Sequence, residues 1–475
     1  MTIDSEYGSR NQLLSKTWFG GDVDDARVEF DYDAALRQTD TRRYADVVGT
    51  ALVGRTETDY DDSGRRTRIK HLNATDAVLA NYEYDFDFAN RITDQVIDQD
   101  VVAYTYDATG QLLTADHSVP SIPDEFYTYD LNGNRTSSHI HGSGYVTGDN
   151  NQLLSNSDFT YEYDAEGNQI RRTSIATGDI TEFAYDHRNR LTKAVVIDST
   201  GQTVQQSEFV FDVFGDRIVS IVDVDGDGPD QANREYYAYD GANVWADFDA
   251  NGDLIARYMF GDAIDSNIGR WRPGDGTAWY LKDHLGSTRV LVYASATVIS
   301  SINYDSFGQV LNQTNSISLD RYQFAGRELN SELNLMYNRS RNYDTSSGRF
   351  TGLDPISFVS NESNLYRYVL NSPLNGTDPT GQITILGYQI TTTQILNGGI
   401  IIAAGTVGCL LGSRADIGPQ NGNPIANSIV RGGVFLVISS IMKSIAATAP
   451  GAAGLAGTKP LATAAFFVGV VVCLD

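Results

Sequence analysis

YTYDATGQLL at 104–113, YTYDLNGNRT at 127–136 and YEYDAEGNQI at 161–170 are three spellings of one unit. Each reads aromatic, any residue, Tyr, Asp, a turn, then an apolar or strand-forming restart. Aromatics two apart, such as Tyr104 and Tyr106, point to one face of a strand, and the residues between them, Thr105 or Glu162, point to the other. Asp107 with Gly110, or Asp164 with Gly167, makes a turn in which Gly supplies the positive φ. Each unit is therefore a hairpin with one aromatic face that it cannot bury alone, so its neighbours must pair edge to edge. Looser copies are FDYDAALRQT at 30–39, YEYDFDFANRI at 82–92, FAYDHRNRL at 183–191, FVFDVFGDRI at 209–218, YAYDGANVW at 237–245 and INYDSFGQV at 302–310. The tag aspartates read as Asp33, Asp61, Asp85, Asp107, Asp130, Asp164, Asp186, Asp212, Asp240 and Asp305. Tyr106, Tyr129, Tyr163 and Tyr185 are expected to be largely buried and Glu162 exposed.

Composition agrees. The chain holds 27 Tyr, a strand former, and 44 Gly, a turn former, in 475 residues. Its net charge of −26 repels phosphate backbones, which argues against nucleic acid as a partner. The charge is unevenly spread: after Gln382 the only charged residues are Arg414, Arg431, Lys443, Lys459, Asp416 and Asp475. Both cysteines, Cys409 and Cys473, also fall there, too few for a disulfide scaffold or a CxxC metal pattern. The opening MTIDSEYGSR has no apolar h-region, so no signal peptide is visible.

At the tags the chain resembles the RHS/YD-repeat family. The likeness is denser in WYLKDHLGSTRVL at 279–291 and densest from Tyr322 to Gly381. There RYQFAGRELNSELNLMYNRSRNYDTSSGRFTGLDPI leads into NLYRYVLNSPLNGTDPTG, similar to an RHS-repeat-associated core. The resemblance implies a mainly β fold: a YD-repeat antiparallel sheet spiralling into a partial β-shell over 1–320. A core at 321–382 and a variable, hydrophobic, helical C-terminal segment at 383–475 complete the expected domains. Family members of the polymorphic-toxin kind release that segment by cutting themselves at the core.

Two Asp-Pro pairs lie in the core, Asp354-Pro355 and Asp378-Pro379. Read as residues alone they are turns, with Asp bonding backbone and Pro fixing φ. The resemblance implies an aspartyl-protease-like dyad of Asp354 and Asp378, with Arg349 as the candidate to orient a carboxylate. Two close carboxylates share a proton, one activating water and the other polarising the carbonyl. The family's DPxGL reads Asp378-Pro379-Thr380-Gly381-Gln382 here, with Gln382 at the Leu position. A second candidate is Asp223-Val224-Asp225-Gly226-Asp227-Gly228, which matches the first half of a calcium loop, although Arg234 stands where the closing Glu belongs. Asp223, Asp225 and Asp227 are the candidate calcium ligands, and an acidic hairpin insert is the plainer reading. His139 and His141, two apart on a strand, complete no metal pattern.

Beyond Gln382, ILNGGIIIAAGTVGCLL at 395–411, GGVFLVISSIM at 432–442 and PLATAAFFVGVVVCL at 460–474 are uncharged runs. The first is marginally long enough to span a bilayer, the second needs Lys443 passed or placed at an interface, and the third is short. Helices are expected at 395–411 and 432–449. The leading expectation is an RHS-family β-shell that carries an effector-like, membrane-active C-terminal segment, freed by aspartyl self-cleavage near 381–383. The alternative is a cell-surface YD-repeat protein for adhesion or carbohydrate binding, anchored by its tail. Expected partners are a membrane through 383–475, an immunity protein, or a cell-surface ligand. Expected localisation is secreted or cell-surface and membrane-associated.

Overall fold

The five residues that follow each strand decide the fold. At Asp107 the backbone closes on itself: Asp107 N donates to Gln111 O at 2.9 Å and Gly110 N to Asp107 O at 3.1 Å. The Asp107 carboxylate oxygen Oδ1 accepts the backbone N–H of Thr109 and of Gln111, at 2.8 and 2.9 Å. The fourth residue takes a left-handed backbone, with φ of 87° at Gly110, 74° at Gly133 and 82° at Gly167. This is a type I turn closed by a G1-type bulge, whose added twist makes successive hairpins coil. The pairing register shifts at the second aromatic of each tag, for example between Asp31 and Tyr32, Glu162 and Tyr163, and Ala184 and Tyr185.

The computed structural model describes residues 2–21, 23–315, 320–357 and 363–382, with the backbone of Ile385–Leu386. The described residues all belong to one compact unit. Within each of their sheets the strands run in chain order, each antiparallel to the next. A 12-stranded sheet runs from Thr2–Tyr7 to Arg135–Ser138, and a 16-stranded sheet from Val146–Thr147 to Val310–Gln313. A four-stranded sheet from Glu328–Asn330 to Arg349–Phe350 belongs to the core. No described helix is long and apolar enough to cross a membrane. The helices expected at 395–411 and 432–449 lie outside the described residues.

Strand Asp100–Tyr106 alternates buried and exposed along most of its length, as the period-two pattern requires. The inner faces of the first sheet, with Trp18, Val28, Tyr82 and Tyr104, pack against the last strands of the second, with Trp271, Trp279, Leu281 and Val290. The core covers other strands of the second sheet: Leu333 and Leu335 close over Phe183 and Phe209.

One expectation holds and one is corrected here. The first aromatic of each tag (Tyr104, Tyr127, Tyr161, Phe183) is buried, and the second, at Tyr106, Tyr129, Tyr163 and Tyr185, is largely covered with its edge at the rim. Its body packs while its hydroxyl reaches back across the turn rim. Tyr106 Oη donates to Ile92 O at 2.7 Å, Tyr185 Oη to Gln169 O at 3.0 Å, and Tyr32 and Tyr60 do the same. Glu162 is exposed as expected. The tag aspartate of the third unit is Asp87, not Asp85. Asp85 pairs with Asp94 inside the strands, whereas Asp87 accepts the N–H of Ala89 and Arg91, both at 2.9 Å. Tyr84 and Phe86 are the aromatic pair of that unit, which fixes the register two residues on.

In four units an arginine four after the tag locks the repeat to the next, and Gln111, Asn134 and Asn168 take that place in others. Arg91 Nε donates to Asp87 Oδ2 at 2.7 Å, Nη1 to Asp107 O at 3.3 Å, and the guanidinium lies 4.8 Å from the Tyr106 ring centre. Arg37, Arg65 and Arg190 repeat the contact over Tyr60, Phe86 and Phe211. Burial pushes the Asp87 carboxyl up, but the backbone and guanidinium of Arg91 hold it below its ordinary value.

Candidate functional site

The core strands Leu335–Asn338 and Arg341–Asp344 form a hairpin with only Arg339 and Ser340 between them. Arg341 starts the second strand and is buried, its guanidinium carbon 3.5 Å from the centre of the Phe350 ring. Its Nη1 donates to Leu365 O at 3.0 Å, the same carbonyl that accepts Asp354 N at 3.1 Å. Its Nη2 lies 3.2 Å from Asp354 Oδ2 and 3.1 Å from Asp378 Oδ2. The two aspartates, 24 positions apart in sequence, thus meet on one nitrogen, with their Oδ2 atoms within two hydrogen-bond lengths of each other.

Each carboxylate divides its work. Asp354 Oδ1 accepts Ile356 N at 3.0 Å, and Asp378 Oδ1 accepts Gln382 N at 3.1 Å and Thr380 Oγ1 at 3.3 Å. These are the Asp-Pro turns read from the residues, so turn and dyad share one geometry. Asp378 is buried and the Asp354 side chain nearly so. The peptide after Gly381 lies against both partners: its carbonyl accepts Arg341 Nε and its N–H faces Asp378.

Arg349 points elsewhere. Its Nη2 donates to Asn151 O at 2.5 Å and its guanidinium stacks 4.7 Å from the centre of the Tyr366 ring. The cation between the carboxylates is Arg341, which nearness in sequence to the first Asp-Pro did not reveal. The signal that could have found it is the Asn-Arg-Ser-Arg run at 338–341. A two-residue hairpin there places both arginines at one turn.

The acidic loop is used by its own backbone. Asp223 Oδ1 accepts Gly226 N at 3.0 Å, and Asp225 Oδ2 accepts Asp230 N at 3.0 Å. Among the described residues no group of three or more His, Cys, Asp or Glu, these three included, is placed to hold a metal ion. His139 and His141 also diverge, His139 lying 3.8 Å from Asp305 and His141 3.2 Å from Asp158.

The core is stitched to the repeat turns by asparagines. Asn371 Nδ2 donates to Gln111 Oε1 and Gly133 O, Asn364 Nδ2 to Asn134 Oδ1 at 2.8 Å, and Asn375 Oδ1 accepts Ile92 N at 2.9 Å. The sheet that spirals and the segment that seats on its turns are one construction, and a family model described as Teneurin YD-shell matches residues 50–374. The chain belongs to this YD-shell family. RHS proteins are among its relatives. The probable deoxyribonuclease RhsA of Dickeya dadantii is 27 % identical over 405 residues, covering 81 % of this chain and 26 % of that protein. The tRNA3(Ser)-specific nuclease WapA of Bacillus spizizenii is 25 % identical over 325 residues, covering 67 % of this chain and 11 % of that protein. The chain thus spans only a minor part of the length of these relatives. Among solved structures, the crystal structure of TcdB2-TccC3-Cdc42 matches the fold with a TM-score of 0.59 at 18 % identity, over 80 % of this chain and 21 % of that one. A Photorhabdus luminescens Tc holotoxin pore matches equally, over 82 % and 22 %. This YD-shell protein therefore has toxin-like relatives and the RHS architecture read from its tags.

Proposed function

We propose that this YD-shell protein cuts its own backbone near 381–383 and thereby frees 383–475 as an effector-like, membrane-active segment. The observation that carries the reading is the pairing of Asp354 and Asp378 on Arg341 beside the Gly381–Gln382 peptide. In this scheme the two carboxylates share one proton, as close buried carboxylates do. The ionised carboxylate takes a proton from water, whose oxygen bonds to the carbonyl carbon. The protonated one gives its proton to the peptide nitrogen as the C–N bond breaks, leaving a carboxylate and an amine. Donors from the arginine stabilise the oxygen on which charge develops.

The freed segment has no His, Glu or Trp, so hydrolytic or metal chemistry in it has little to work with. Its uncharged runs suit lipid, and Arg414, Arg431, Lys443 and Lys459 suit anionic headgroups.

The test uses the full chain. Purified protein held for days at about pH 5–7 is expected to resolve into two pieces by intact mass, and Asp378→Asn to stay whole. Cut protein is expected to release dye from anionic vesicles while the uncut variant does not. A wild-type chain that stays intact removes the cleavage reading. Cut protein that leaves vesicles sealed removes the membrane reading.

A further inference from the structure

Four consecutive residues of the core hairpin each hold one carbonyl of the segment that carries Asp378. Asn338 Nδ2 donates to Asp378 O at 2.8 Å. Arg339 Nη1 donates to Pro379 O. Ser340 donates twice to Thr380 O, from Oγ at 2.6 Å and from its backbone N at 3.1 Å. Arg341 Nε donates to Gly381 O. The order is kept rung by rung, each donor 40 positions before its acceptor. Every acceptor is main chain, so this contact reads backbone rather than side chains.

The rungs are held from behind. Arg339 has φ of 56°, a left-handed backbone that a residue with a Cβ adopts only at a cost. The turn keeps it, and Asp265 braces its side chain: Oδ1 accepts Arg339 Nη2 at 2.8 Å and Oδ2 accepts Nη1 at 3.2 Å. Asp265 also receives Arg327 at 2.5 Å, so two guanidiniums are fixed on one carboxylate from the loop before strand Asn267–Arg272 of the second sheet. Ordered donors braced by the shell are what a positioning device needs, because their ordering cost is met at folding and not at reaction.

Of the segment's own side chains, the clamp asks for little. A Cβ on Gly381 would lie 2.4 Å from Asn338 O and 3.0 Å from Arg341 N, and Gly381 has φ of 70°, so only glycine lets the chain seat. Asp378 supplies its carboxylate. Gln382 is held by its backbone N–H.

Resting on the self-cleavage reading above, we propose that Asn338–Arg341 is a main-chain clamp. It sets which peptide meets the dyad by gripping four carbonyls in register, and the side chain at 382 does not set it. Asn338, Arg339 and Ser340 are positioning residues in this scheme. The occupant is any segment with Asp and Gly in the places of Asp378 and Gly381, whatever follows.

The test follows cutting of the full chain by intact mass over time, with folding checked by thermal melting. Asn338→Asp keeps the shape but presents an acceptor to a carbonyl, and is expected to slow cutting more than about tenfold. Ser340→Ala is expected to slow it several-fold, and Ser340→Thr, which keeps the hydroxyl, to restore it. In the slowed variants the fragment mass is expected to become mixed, because a loosened register presents neighbouring bonds; a merely structural role lowers the yield at one bond. Gln382→Leu and Gln382→Ala are expected to move the rate far less than Asn338→Asp does. If Gln382→Leu cuts while the wild type does not, the side chain at 382 and not the clamp decides cutting, the natural chain does not cut itself, and both readings fall. If folded Asn338→Asp and Ser340→Ala cut at the wild-type rate and bond, the clamp is overturned alone. If neither wild type nor Gln382→Leu cuts, both fall together.

Discussion

The repeats and the core of this protein solve the same problem at different distances. In the repeats, the turn groups find their partners within one hairpin or the next: Arg91 bonds Asp87 four residues back and stacks on Tyr106 fifteen residues on. Those charges stay partly wet, with side chains 30 % and 22 % exposed. In the core the pairs are far apart in sequence and dry: Arg217 with Glu328 and Arg341 with Asp378 have side chains no more than 6 % exposed. Both regions hold left-handed turns at non-glycine residues, with φ of 63° at Leu36 in the repeats and 56° at Arg339 in the core. Redundant local locks make a repeat tolerant, whereas a dry network built once makes the core brittle and suited to chemistry.

Removing the centre of the core network breaks that comparison hardest. Arg341→Met leaves two buried carboxylates without their shared cation, a loss on the order of 3–5 kcal/mol. The thermal midpoint is expected to fall sharply and cutting to stop. A variant that melts like the wild type would show the core to be as tolerant as the repeats.

Acid sharpens the comparison at the seam between the sheets. His71 Nε2 bonds Lys282 O at 2.9 Å and Nδ1 meets Thr56 Oγ1 at 2.8 Å. Burial pushes this imidazole down from 6.5 to about 3. The folded state keeps it neutral while the unfolded chain binds a proton, so its stabilisation is full above about pH 6.5 and drains as pH falls towards about 3, by roughly 1.4 kcal/mol per unit. His71→Gln is expected to flatten the slope of unfolding free energy against pH by about one proton between pH 6 and 4. An unchanged slope would place the acid sensitivity elsewhere.

Cutting one repeat lock is expected to do less. Arg91→Met loses one half-exposed ion pair and one cation–π contact, about 1–2 kcal/mol together, measured by denaturant unfolding. The smallest effect has the opposite sign. Leu36 has φ of 63° in the turn place that glycine fills at 110 and 133. Leu36→Gly is expected to stabilise by about 0.5–1 kcal/mol, the left-handed penalty less the entropy of a freer unfolded chain.

The amino-acid sequence alone determined the repeat, the hairpins, the alternation along Asp100–Tyr106 and the Asp turns, because all of these close within about five residues. YEYDFDF offers two aspartates after aromatics, Asp85 and Asp87, and only strand pairing chooses Asp87 as the tag. Alternation gives the face of the second tyrosines but not the rim carbonyls that their hydroxyls reach. At the site the two aspartates were legible as motifs, but their arginine was not. Arg349 is nearer in sequence, while a hairpin of two residues carries Arg341 to Asp354 and Asp378. Tertiary structure alone decided that pairing and the clamp on 378–381, since contacts across 40 residues depend on where the shell holds the chain, and no local pattern encodes that distance.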